Sequence, residues 1–158
     1  DWALQLAGIY DLRERAPHEL SGGQQQRAAI ASVLAMQPEV IVLDEPTSFL
    51  DPLGAKKIFE VIYELNRTLG ITVLLVEHRL DLTARYANHI IILDEGKVVL
   101  DGETRKILSS EEARLIGVGI PKATRLYHAL QKDGVKLGNT IPLSSDEMIA
   151  LLGEALKP

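Results

Sequence analysis

No cysteine occurs in this 158-residue chain. That excludes a disulfide framework, a thiolate zinc site and a cysteine nucleophile, and it suits a reducing compartment. Long hydrophobic runs are missing as well. The most apolar stretches, "VIVL" at Val40–Leu43, "ITVLLV" at Ile71–Val76 and "IIIL" at Ile90–Leu93, fall far short of the roughly 20 residues that a helix needs to cross a bilayer. The chain opens on "DWALQLAG" with no charged-then-apolar leader, and it reads as soluble. Basic residues are in deficit, 17 Lys and Arg against 22 Asp and Glu for a net charge of −5. This balance argues against binding nucleic acid through a general basic surface. Heptads, basic blocks and internal repeats are also lacking. What is present, 46% hydrophobic and 25% charged residues, suffices for a real core in one domain, or in one domain with a small appendage.

The order of patterns along the chain predicts an α/β fold. Trp2–Leu12 reads as a short helix, followed by the polar turn "RERAPHEL" and a helix from Ser21 to about Met36 that Pro38 stops. "VIVL" and "ITVLLV" are continuous apolar runs, the pattern of strands buried on both faces of a parallel sheet. Between them Ile58, Val61, Ile62 and Leu65 are spaced for one face of a helix from about Pro52 to Thr68. A short helix around Leu80–Tyr86 and the third run "IIIL" complete strand, helix, strand, helix, strand, with right-handed crossovers expected. "DEGKVVLDG" then predicts a hairpin turning at Glu95 and Gly96, with Lys97–Leu100 returning as a strand. From Ser109 buried-strand runs stop. Gly117, Gly119, Pro121, Gly134, Gly138 and Pro142 punctuate two helical patterns, Ala123–Lys132 and Ser145–Leu156. The division expected is therefore a main domain over 1–108 and a small, mostly helical extension over 109–158.

Two stretches carry candidate chemistry. In "LSGGQQQR", Leu20–Arg27, Ser21 is a natural N-cap, and Gly22 and Gly23 leave the first helical turn without side chains. Such a helix start presents bare N–H groups and a positive dipole end to an anion; a glycine-softened helix start is the plainer alternative. The second stretch is "VIVLDEPTS". A buried parallel strand delivers the residues after it to the carboxyl edge of the sheet, where ligands bind in open α/β folds. Asp44 and Glu45, adjacent there, repel each other unless a cation or proton intervenes. Either they are two solvated acids in a loop, or Asp44 serves a Mg²⁺ ion and Glu45 polarises an attacking water. His78 comes after "TVLLV" at the same edge, which favours a functional role over a surface one; His18, His89 and His128 have no such placement.

Together "LSGGQQQR", "VIVLDEPTS", "FLD" and "VEHR" resemble the distal half of an ATP-binding cassette (ABC) ATPase: signature motif, Walker B strand, D-loop and H-loop, in that order. The fold implied is the second half of a P-loop NTPase parallel sheet with flanking helices. In it, 1–38 would be the end of the helical subdomain with the signature helix, and 39–108 the α/β core. Position by position, the resemblance implies that Ser21, Gly22, Gly23 and Gln24 meet the γ-phosphate of an ATP held mainly by a partner subunit. Asp44 would be the Mg²⁺-linked acid, directly or through water, Glu45 the general base and His78 the switch histidine. Ser48 and Asp51 would belong to the D-loop running between two subunits. Phe49 departs from the pattern, since the family commonly has a small residue there.

No G-x-x-x-x-G-K-[S/T] stretch occurs, so the backbone cradle and lysine for the β and γ phosphates are absent. This leads to the expectation that the chain is a fragment, inactive alone, of an ATP hydrolase using ATP and Mg²⁺. The tail, "LIGVGIPKATRLYHALQKDGVKLGNTIPLSSDEMIALL", resembles the C-terminal extension of energy-coupling factor and cobalt or nickel importer ATPases. The resemblance implies a second ATPase subunit and a transmembrane coupling or permease subunit as partners, without nucleic acid. It also implies a cytoplasmic place on the inner face of the cell membrane, and coupling of hydrolysis to transport of a metal ion or vitamin. A soluble ABC-type ATPase acting on DNA or ribosomes is the alternative, though such proteins tend to carry coiled coils or a second cassette.

Overall fold

A computed structural model describes residues 1–155; Leu156, the expected last residue of the C-terminal helix, lies outside the described residues. The chain divides into two compact units, residues 1–78 and the segment from Arg79 onward.

In the first unit, α1 (Trp2–Leu6) is shorter than expected. Gly8 takes a left-handed φ of +65°, which breaks the helix, and the chain resumes as a 3₁₀ turn at Tyr10–Leu12. The glycine-led helix α2 (Gly22–Leu34) runs back toward β1 (Val40–Asp44). From β1 the chain crosses through α3 (Pro52–Leu69) to β2 (Thr72–Val76), which pairs parallel with β1 from Val40↔Thr72 to Asp44↔Val76. Both ends of α3 are chemically fixed. Asp51 Oδ1 accepts from Gly54 N–H at 2.6 Å, Pro52 sits in the first turn, and Gly70 closes the helix at φ +66°.

The core of this unit joins Ala3 and Ala7 of the α1 region, Ile30 and Leu34 of α2, Ile41 of β1, and Ile58, Ile62 and Leu65 of α3. The helices take one side of the two strands, reaching Ile41, Leu43, Val73 and Leu75. The alternate side chains remain open: Val40 is 54% exposed, Val42 63%, Leu74 52% and Val76 46%. The expected burial on both faces is therefore corrected to burial on one, because the packed helices of this unit meet only every second residue of each strand.

In the second unit, α4 (Leu80–Tyr86) leads to β3 (His89–Asp94), which pairs antiparallel with β4 (Lys97–Glu103). The third strand was expected in the parallel sheet; among the described residues it pairs with β4 alone. Glu95 and Gly96, both at positive φ (+45° and +73°), return the chain at once in the expected two-residue turn, so that β4 takes one edge of β3. Four helices complete the unit: α5 (Thr104–Leu108), α6 (Glu111–Ile116), α7 (Lys122–Lys132) and α8 (Ser145–Ala155). Tyr127 and Ala123 of α7 pack on Met148 of α8 and on Leu137 between them, with Leu130 and Leu152 half-buried alongside; Leu126 and Ile149 stay exposed. Charged and polar ties hold the helical extension to the 79–108 stretch. Asp81 accepts from Lys122 N–H at 2.8 Å, Arg85 meets Asp146 at 3.2 Å, and Arg105 donates to Ile141 O at 3.0 Å and to Glu147 Oε1 at 2.7 Å.

Candidate active site

The acidic pair and the histidine singled out in the sequence lie where β1 and β2 end. β1 finishes at Asp44, and the next residue, Glu45, adopts φ +44°, a left-handed conformation unusual for a residue with a full side chain. Holding such a residue costs about 1–3 kcal/mol unless its surroundings impose it. Here they do. Glu45 N–H donates to Val76 O at 3.0 Å, carrying the parallel ladder one residue past the strand, while its own carbonyl accepts from Ser48 N–H at 3.2 Å and from Ser48 Oγ at 3.1 Å. Pinned at both peptide groups, Glu45 turns its carboxylate to the end of β2, where Oε1 lies 3.0 Å from His78 Nε2.

The side chains of His78 and Glu45 are 80% and 46% exposed. An exposed pair of this kind contributes between nothing and about 1 kcal/mol, too little to impose the left-handed backbone. The backbone bonds to Val76 and Ser48 therefore set the geometry, and the carboxylate–imidazole contact is their consequence. Nearly half of the Glu45 side chain is exposed, so a water beside it can meet a carboxylate base whose Oε1 is held by His78.

Beside this pair lies an open cavity of about 500 Å³, lined among others by Gly22, Gln25 and Gln26 of α2 and by Asp44, Glu45 and Ser48. Of the residues singled out in the sequence, the cavity brings together Gly22, Asp44, Glu45 and Ser48. Ser21, Gly23, Gln24, Asp51 and His78 are not among its lining residues. Ser21 holds the N-cap position of α2, and the bond that closes the cap comes from inside the helix, Gln24 Oε1 accepting from Ser21 N–H at 2.8 Å. Gln25 Nε2 reaches back to Pro17 O at 3.0 Å. Gln24 and Gln25 N–H both donate to Ser21 O at 2.8 Å, so the N–H groups of Gly22 and Gly23 lie outside the helical ladder. A β-carbon at Gly22 would stand 3.5 Å from Leu50 Cδ2, and one at Gly23 3.8 Å. The glycines are thus not demanded by packing. Asp51 spends one carboxylate oxygen on the cap of α3, and Phe49 is almost wholly exposed.

Sequence reasoning passed over two residues at this edge. Thr47 is fully buried, and its hydroxyl donates to Glu77 Oε1. Glu77 Oε2 in turn accepts from His78 N–H at 2.9 Å. A buried hydroxyl two residues after Glu45 and a carboxylate directly before His78 were visible signals. What stays invisible in the sequence is that they meet across 30 positions.

Among the described residues no three His, Cys, Asp or Glu side chains converge to hold a metal. Asp44 is one exposed carboxylate at the sheet edge, beside the cavity. This donor set suits only a cation that keeps most of its waters and takes further oxygens from a substrate, which is how Mg²⁺ is bound in phosphoryl-transfer sites.

A glycine-led helix start, a strand running into two acids and a histidine just after the next strand place this unit in the class of open α/β folds whose candidate site lies at the carboxyl edge of the sheet. The ABC transporter family profile matches residues 1–48. The energy-coupling factor transporter ATP-binding protein EcfA1 of Clostridium perfringens is 46% identical over 153 residues, covering 96% of this chain and 54% of that protein. Among solved structures, cbiO1 of Clostridium perfringens, part of the ABC transporter complex cbiONQ, matches with a TM-score of 0.68 at 36% identity over 83% of this chain and 51% of the other. A dimeric post-hydrolysis ATP-binding cassette bound to ADP and Pi matches with a TM-score of 0.54 at 38% identity, over 66% of this chain and 45% of the other. The chain belongs to the ABC transporter ATPases. It is similar in particular to energy-coupling factor ATP-binding proteins, and it spans about half the length of the curated relatives it matches.

Proposed function

We propose that the intact protein hydrolyses ATP as the nucleotide-binding subunit of an ABC importer of the energy-coupling factor kind, driving uptake of a small solute such as a metal ion or vitamin. The observation that carries this reading is the contact of Glu45 with His78 at the carboxyl edge of the sheet, beside the cavity that Asp44 and the start of α2 share. Glu45 takes the proton of the attacking water. His78 holds that carboxylate and reaches the γ-phosphate. Asp44 holds Mg²⁺, directly or through water; when bound, the ion neutralises charge on the phosphates. Ser21, Gly22, Gly23 and Gln24 receive the γ-phosphate of a nucleotide held mainly by a second ATPase subunit, with Ser48 and Asp51 lying in the loop between the two.

Residues 1–108 act as the distal half of the nucleotide-binding domain, and residues 109–158 as a pairing module in which exposed Leu126 and Ile149 face a second subunit. A transmembrane coupling subunit is the other partner, met on the inner face of the cell membrane. No helix among the described residues is long and apolar enough to cross a membrane itself. The energy-coupling factor transporter branch is supported by the names of the relatives, and dimer formation by the dimeric cassette bound to ADP and Pi. This chain by itself, without a phosphate-cradling glycine and lysine loop, turns over no ATP.

The test is Glu45→Gln in the intact protein. The amide matches the carboxylate in shape but is a far weaker base, so nucleotide affinity is retained while turnover falls by about 100-fold or more. Turnover at the unmodified rate would remove Glu45 from the chemistry.

A further inference from the structure

We infer that Glu77 is a positioning residue whose carboxylate bridges the two site loops, fixing the loop that carries Glu45 against the peptide that carries His78. The inference rests on the catalytic reading of Glu45 and His78 proposed above. Glu77 is the last residue before His78, half-buried, just beyond β2. Its two oxygens point to different partners. Oε1 accepts the hydroxyl of Thr47, and Oε2 accepts the N–H of His78 at 2.9 Å. Thr47 belongs to the short segment Glu45–Leu50, which folds on itself through Ser48 N–H to Glu45 O at 3.2 Å and Leu50 N–H to Thr47 O at 3.1 Å.

The catalytic pair is thus tied twice. One tie is the backbone bond from Glu45 N–H to Val76 O, and the other runs Thr47, Glu77, His78. Without the second, the exposed contact of Glu45 with His78 is too weak to hold its own geometry, and the histidine peptide is free to rotate away from the carboxylate. Thr47 has no solvent to fall back on, since it is 0% exposed. Its hydroxyl needs a partner, and a carboxylate is a strong one. Glutamate also has the right chemistry for the bridge. The Thr47 hydroxyl and the His78 N–H are both donors, so bridging them takes two acceptor oxygens, and an amide offers only one.

In the intact protein, Glu77→Gln leaves one donor facing an amide NH₂ and opens the bridge. Displacement of a reacting group by about 1 Å can lower a rate up to roughly 100-fold, so kcat for ATP falls at least about ten-fold while KM stays within about two-fold, because Glu77 is not among the residues that line the cavity. Thr47→Val gives the same split, and Thr47→Ser, which keeps the hydroxyl, restores the rate. The double variant Glu77→Gln with Thr47→Val is no slower than the slower single one, as expected for two ends of one bridge. Amide hydrogen exchange at His78, tracked with histidine-selective labelling of the same protein, quickens in both single variants. Should Thr47→Val fail to fold, half-exposed Glu77 still supplies the rate split and the exchange measurement. Unchanged kcat and unchanged His78 exchange in Glu77→Gln would overturn the inference, as would multiplicative losses in the double variant. An unmodified protein that hydrolyses no ATP would overturn the functional reading instead, and His78 exchange would then decide the bridge alone.

Discussion

The two units of this chain are stabilised internally by different means. In the first, two helices press Ile30, Leu34, Ile58, Ile62 and Leu65 onto one side of a two-stranded parallel sheet, and the candidate reacting groups lie at the sheet's edge. In the second, buried apolar clusters are small, and the helical extension is fastened to the 79–108 stretch by Asp81 with Lys122, Arg85 with Asp146 and Arg105 with Glu147. The difference has a functional logic. A reacting site needs a rigid platform, which close packing provides. An extension proposed to meet a partner can rely on exposed charges that steer and fix register while adding little stability.

The contrast predicts unequal costs. Leu34 is 1% exposed at the end of α2 and packs within the core of the first unit. Leu34→Ala removes a methine and two methyl groups and leaves a cavity in the core that also holds Ile41 of β1, at a cost of about 2–5 kcal/mol. Equilibrium urea unfolding should show this as a large fall in midpoint. A loss below about 1 kcal/mol would mean that the apolar platform is not what holds this unit.

Much of this fold is legible in the sequence. The runs at Val40–Leu43 and Thr72–Val76 announce strands, Asp51-Pro52 and Gly70 announce the ends of α3, and Glu95-Gly96 announces the hairpin turn. The site is legible in part: a strand running into Asp44 and Glu45, and a histidine after the next strand, indicate one sheet edge. What local pattern does not reveal is three-dimensional. The left-handed turn at Glu45 is imposed by Val76 and Ser48, and the bridge from Thr47 to His78 depends on two loops meeting. Nor does an apolar run disclose how many faces are covered, which is why Val42 and Leu74 are exposed against expectation. Helix α6 was a readable omission. Ser110 caps it by accepting from Ala113 N–H at 3.1 Å, Glu111 and Glu112 occupy its first turn, and Gly117 ends it at φ +84°.

A polar deletion in the second unit should cost less than the cavity in the first. Tyr127 is 3% exposed, and its hydroxyl donates to Gly138 O at 2.7 Å while accepting from Gln131 at 2.8 Å. Tyr127→Phe keeps the ring and leaves that carbonyl without this donor, for a loss of about 1–2 kcal/mol. The same urea experiment separates it from Leu34→Ala. A loss equal to that of Leu34→Ala would show that the second unit depends on this one polar contact as strongly as the first depends on its core.

The smallest effect concerns acid. Burial pushes the Glu147 carboxyl up, but the Leu143 N–H at 3.0 Å and the Arg105 guanidinium, as donor and as charge, outweigh burial and hold it below its ordinary value of 4.5. A carboxyl lowered on folding contributes stability that is fully present above its unfolded value and is lost as pH falls through its folded value. Both side chains of the pair are about two-fifths exposed, so solvent screening keeps that contribution small. Glu147→Gln is therefore expected to be slightly less stable than the unmodified protein at about pH 7, with the gap closing as the pH falls through the lowered folded value of Glu147 and the carboxylate gains its proton. Raising salt at neutral pH should narrow the gap for the same reason. A gap that persisted undiminished in acid would assign the loss to altered packing at the start of α8, and the ties of the second unit would then be matters of shape and not of charge.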